Sequence, residues 1–131
     1  MTLSIVTEIG SGELIDKITI LEIKSERIAD LEKLKNIKRE LSVLNATRDA
    51  HLRDIGGLTD LEKRLKAINE DLWEIEDDIR ACEAQKDFGP KFIELARAVY
   101  ITNDKRAAVK KEINLLTSAN IIEEKSYTDF T

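Results

Sequence analysis

The chain has 131 residues, enough for one domain with its own core but short of two independent ones. Charged residues make up 36% of it and aromatics 5%, a balance that favours helical bundles over sheet proteins. A net charge of −5 argues against a dedicated nucleic-acid or anionic-membrane binder, because both need a basic footprint to displace counterions. Cys82 is the single cysteine, which excludes an internal disulfide and a multi-cysteine metal site. There is no basic leader before Gly10 and no apolar run near the roughly 20 residues that span a bilayer, so the expected setting is cytoplasmic.

The glycines and the proline fall at Gly10, Gly12, Gly56, Gly57, Gly89 and Pro90, and divide the rest into three long stretches without strong helix breakers. Residues 1–10 form an arm, extended or a short strand, carrying Leu3, Ile5 and Val6. After Ser11, a plausible N-cap, apolar residues recur at helical spacing from Ile15 to Ile55. Uninterrupted, this helix would measure about 66 Å against about 40 Å for either later one. The excess predicts a break between Ala29 and Asn36, with Asp30 capping a second helix.

The next stretch has the clearest pattern. Thr59 and Glu62 stand at capping-box spacing, and Leu61, Leu65, Ile68, Leu72, Ile75, Ile79 and Cys82 repeat in steps of four and three, which centres the seam on Leu72 and Ile75. Pro90 suits the first turn of the last helix, whose stripe reads Phe92, Ala96, Val99, Ile113 and Leu116. That helix is expected to end near Thr117 to Asn120, and the tail 118–131 to dock Ile121, Ile122, Tyr127 and Phe130 on the bundle. Short links force antiparallel neighbours. The expectation is a single all-α domain over 1–131: an up-and-down antiparallel bundle of three long helices plus a shorter N-terminal helix, either packed as the fourth or exchanged with a second subunit, with coiled-coil-like packing.

No catalytic constellation emerges, and no cofactor or metal is expected. Glu70, Asp71, Glu74, Glu76, Asp77 and Asp78 crowd one helix, but a di-iron carboxylate bundle needs two Glu-x-x-His units and His51 is the only histidine. The run reads better as a solvated or salt-bridged face. His51 beside an apolar stripe suggests partial burial, Cys82 on the seam an inert core thiol, and Trp73 one step off the seam an edge or contact residue. Arg97, Tyr100, Asn103, Asp104, Arg106 and Lys110 interrupt or flank a stripe that should be apolar. Polar groups there need partners. They are candidates either for a network that sets register, with Asp71 or Glu74 meeting Arg106 or Lys110 across the hairpin, or for a site binding a small anion.

The segments Gly12 to Lys24, Leu72 to Arg80, Phe92 to Tyr100, Asn103 to Ala107 and Glu123 to Tyr127 resemble a family of small uncharacterised bacterial and phage all-helical proteins. The resemblance implies no reaction; its association with glycosyltransferase-type proteins hints at surface-polysaccharide work. The reading expected from the whole is a non-enzymatic interaction or assembly protein acting as a homodimer, with a possible protein partner, no nucleic acid and no membrane. The alternative is a binding protein or enzyme for an anionic sugar, nucleotide or phosphate.

Overall fold

In the computed structural model, which describes residues 2–131, the chain forms α1 (Ser11–Arg27), α2 (Leu31–His51), α3 (Leu58–Ala84) and α4 (Pro90–Leu116), with no strand among the described residues. The expected break lies between α1 and α2. The Ile28 N–H closes α1 on the Lys24 carbonyl at 2.9 Å, and the Asp30 carboxylate opens α2 by accepting from the Lys33 N–H at 3.0 Å. The arm before α1 is extended rather than a strand.

The start of α3 departs from the capping-box expectation. Gly57, in the left-handed region at φ 86°, caps the helix, so Thr59 already lies inside its first turn and cannot cap it. Glu62 is drawn away to α2, where its carboxylate accepts from Arg48 Nε at 2.9 Å and Nη2 at 2.6 Å. A bidentate pair between helices outcompetes a local cap.

The shortest helix occupies the centre of the bundle. α1 packs against α2, α3 and α4, whereas the backbone of α2 comes close to that of α1 alone and reaches α3 through side chains such as Arg48. Leu14, Ile15, Ile18, Leu21 and Ile23 are buried on α1, while Ile37 is the buried residue of α2. A helix apolar on nearly all sides must be covered on nearly all sides. Leu14, Ile15 and Ile18 join Leu58, Leu65, Val109 and Ile113 in one core cluster, against which Leu41, Leu44, Leu52 and Ile55 lean.

The core therefore sits at one end of the α3/α4 hairpin. Leu65 and Ile113 are fully enclosed, but Leu72 and Ile75 are only half-buried, so the seam is not centred where its pattern places it. α1 ends at Arg27, paired with Glu74, and beyond that level no other helix covers α3 and α4. Arg64 and Glu112, 3.2 Å apart, hold the hairpin within one residue of its expected register.

The tail beyond α4 has no regular structure and lies on that helix mainly through charge: Glu123 and Glu124 reach Lys110 and Lys111 at 3.4 Å, and Lys125 reaches Asp104 at 2.6 Å. Phe130 meets the Tyr100 ring edge-on at 5.2 Å. The apolar docking expected of it is slight, since Tyr127 is 82% exposed and Ile121, Ile122 and Phe130 are exposed as well.

At the crossing of α1 and α4 there is no room for a side chain on Gly12, whose added Cβ would lie 2.3 Å from the Lys110 carbonyl oxygen. Gly12→Ala should therefore destabilise by about 2 kcal/mol or more, although alanine is the better helix former by about 1 kcal/mol. Gly56→Ala, with nothing within 4 Å, should shift the urea midpoint little. Equal effects from the two substitutions would show that α1 does not approach α4 closely.

Candidate functional site

Asp16 is the most enclosed charged group in the bundle, 1% exposed on the face of α1 that meets α3 and α4. Its carboxylate accepts from Arg106 through Nε to Oδ1 at 2.9 Å and through Nη2 to Oδ2, and from Asn69 Nδ2 to Oδ1 at 2.9 Å. Asn69 Nδ2 also donates to Thr19 Oγ1 at 2.9 Å, and the Thr19 hydroxyl donates to the Asp16 carbonyl at 2.8 Å. A buried carboxylate is tolerated when a cation and further donors replace its water. Three helices supply these groups, so the cluster sets the register of all three.

One turn away Lys110 is 8% exposed and donates to Glu13 at 2.8 Å and to Glu123 at 3.4 Å. Burial alone lowers the pKa of such an ammonium, but the hydrogen bond to Glu13 and the charges of Asp16, Glu13 and Glu123 outweigh it and raise the value above that of ordinary lysine. A further turn along α4, Asn114 Oδ1 accepts from the Gly12 N–H at 2.8 Å. The first turn of α1 is thus capped by a residue 102 positions away, and Ser11 is not the N-cap.

The expected ion pairs between Asp71 or Glu74 and Arg106 or Lys110 do not form. Arg106 and Lys110 turn to Asp16 and Glu13 on α1, and Glu74 pairs with Arg27. The hairpin register was read closely enough, but side chains level with one another can point to different faces, and α1 occupies the face to which the cations point.

Asn103 and Arg106 line a cleft of about 450 Å³ with Ile20, Ile23, Leu72, Trp73 and Val99, and Lys24, Glu76, Asp77 and Arg80 also contribute to it. Tyr100 and Asp104 face a second cleft of about 520 Å³ closed by the tail, and Lys110 lines a third with Glu123 and Tyr127. Arg97 is exposed and lines none of the three. Asn103 is common to all three clefts.

His51 is exposed rather than partly buried, because the last turn of α2 has no neighbour over that face. Cys82 is buried. Trp73 sits half-buried at the edge, its ring 6.0 Å from the Arg27 guanidinium. The acidic run of α3 spreads around the helix, and among the described residues no group of three His, Cys, Asp or Glu side chains converges as metal ligands would. Asp16, Thr19 and Asn69 were not singled out from the sequence. The signal was present: Asp16 and Thr19 stand one turn before Ile20 and Ile23, on the apolar side of α1 away from Lys17 and Lys24.

Arg106→Ala should cost about 3–5 kcal/mol by leaving a buried carboxylate unpaired, and Asp16→Leu with Arg106→Leu together should recover a substantial part. Urea denaturation of the two singles and the double measures it, and additive losses would show that the pair is not coupled. Lys110 gives a pH-dependent counterpart. With its folded pKa raised, its contribution is complete below the unfolded value of about 10.4 and fades as the pH climbs through the folded one. The stability lead of the native chain over Lys110→Met should accordingly shrink above about pH 10.4; a constant lead would mean that the charge of Lys110 contributes nothing.

A family profile, described as a family of unknown function, matches residues 5–130. Nothing among curated proteins or solved structures matches the chain. The profile spans the arm, all four helices and most of the tail, so the cluster built on Asp16 lies within the matched region: the chain belongs to the family of unknown function DUF6165.

Proposed function

We propose that this protein is a non-enzymatic helical assembly protein in which two copies pair through the projecting half of the α3/α4 hairpin. One observation carries the reading. The chain exposes 9399 Å², against about 7,000 Å² for a compact monomer of its mass, and a standard interface takes only about 800 Å² from each partner.

Part of the excess lies in the arm and the tail, whose residues are nearly all exposed, and part in the outer half of the hairpin. From Pro90 to Ile101 no residue of α4 is buried, and on the facing half of α3 Cys82 alone is. Leu72, Ile75, Ile79 and Phe92 are half-covered, and Phe88 and Ile93 are 51% and 57% exposed. Two helices leave an apolar seam open on both sides, and two such hairpins together make a four-helix bundle that closes it. A two-fold pair of identical surfaces is the simplest closed arrangement. The arm, with Leu3, Ile5 and Val6 each more than 80% exposed, offers additional apolar contact.

Light scattering should give a species of about twice 14.9 kDa at the tens-of-micromolar concentrations where such interfaces hold. Ile93→Glu should shift it to the monomer with helix content retained, since that side chain is already mostly in water. A native chain that remains monomeric under these conditions would overturn the reading.

A further inference from the structure

The cleft between α1, α3 and α4 has apolar walls and one polar edge, with Lys24, Glu76, Asp77 and Arg80 adding two charges of each sign to its lining. Ile20 and Ile23 come from α1, Leu72 and Trp73 from α3, and Val99 from α4. The polar edge consists of groups with hydrogen-bonding capacity left over. Arg106 spends Nε and Nη2 on Asp16 and has Nη1 unengaged among the described residues. Asn69 spends its Nδ2 on Asp16 and Thr19; because a carboxylate only accepts, that orientation is fixed and Oδ1 is the atom left over. Asn103 has neither its amide donor nor its acceptor engaged among the described residues, although it is half-buried. No buried side-chain nitrogen or oxygen is unpaired among the described residues, so the leftover groups have access to solvent, and Asn69, Asn103 and Arg106 all line this cleft.

This edge carries no net charge, because the Arg106 guanidinium is offset by Asp16 beside it. An anion would have to compete with a buried carboxylate already held in a fork. A sugar ring carries hydroxyls around its whole circumference, and those turned to Ile20, Ile23, Leu72 and Val99, away from the polar edge and from Lys24, Glu76, Asp77 and Arg80, would be left unpaired at a cost of about 1–3 kcal/mol each. A flat ring that is apolar on both faces and carries donors and acceptors on one edge meets the walls and the edge together. Its faces meet aliphatic and indole surface, and its edge meets an amide pair and a guanidinium, the side chains that read nucleobase edges. We infer that the cleft binds an uncharged heteroaromatic ring of the nucleobase class, with Asn69, Asn103 and Arg106 reading its edge and Trp73 contributing to the wall. A volume of about 450 Å³ is within the usual range for small-molecule sites. The inference does not rest on the pairing of two copies, although Leu72 and Val99 belong both to this cleft and to the hairpin half assigned to pairing.

The test is titration of the full chain with adenosine, guanosine, cytidine and uridine, with glucose and N-acetylglucosamine as contrasting ligands. Calorimetry reads the binding, and the emission of Trp73, the sole tryptophan, reports where it occurs. At least one nucleoside should bind saturably with a change in Trp73 emission, and the sugars should not. Asn103→Ala, which removes an unpaired and half-buried amide and leaves the Asp16 cluster intact, should weaken that binding about tenfold, the loss of one well-placed hydrogen bond. Absence of nucleoside binding at millimolar concentration, binding of the sugars alone, or unchanged affinity in Asn103→Ala would each overturn the assignment.

Discussion

The arrangement of the bundle depends on one buried carboxylate. Asp16 lies where three helices meet, and its charge is sustainable there only because Arg106 from α4 and Asn69 from α3 donate to it together. A hydrophobic core of branched aliphatics tolerates small slips in helix register; a forked ion pair with an amide beside it does not. Lys110 with Glu13, and Asn114 with the Gly12 N–H, repeat the constraint on successive turns of α4. α1 is thereby held against α4 at three heights, and Gly12 permits the close approach that all three require.

Because α1 is both central and short, it covers only part of the two long helices. Past the level of Glu74 the hairpin continues with no helix laid over it and the tail only at Tyr100, and the side chains of a regular apolar seam remain only partly buried. The surplus surface follows from helix length together with the exposed arm and tail, not from loose packing, since Leu65, Val109 and Ile113 at the other end are enclosed. The same mismatch joins the assembly reading to the fold: a closed core at one end provides stability, and an open hairpin at the other provides surface for association.

The electrostatics of α4 separate two roles that a row of polar residues leaves confounded. Arg106 and Lys110 are both engaged by carboxylates of α1, and Lys110 also by the tail. Their charges are largely balanced within the fold, yet the donors and acceptors left over on Arg106, Asn69 and Asn103 still face a cleft. A neutral, directional edge against aliphatic walls differs chemically from a phosphate cradle, and the difference arises from Asp16, a residue on another helix.

Helix identity, a break beside Ala29, the cap at Asp30, Pro90 in the first turn of α4 and, to within one residue, the hairpin register were legible in the sequence, because each depends on local spacing, on breaker residues or on the fixed rise of a helix. The polar stripe from Asn103 to Lys110 was legible as an anomaly, but its partners were not. Periodicity says that Arg106 faces inward without saying which helix meets it, and the level partner on α3, Asp71, proved to be on another face. In the same way the seam pattern through Leu72 and Ile75 continues unchanged past the point where cover ends. A sequence records which face of a helix is apolar and where the helix stops. Which neighbour covers that face, and for how much of its length, depends on helices brought together from distant parts of the chain, so only the tertiary structure decided that Asp16 would be the partner of Arg106 and that the outer hairpin would stand open.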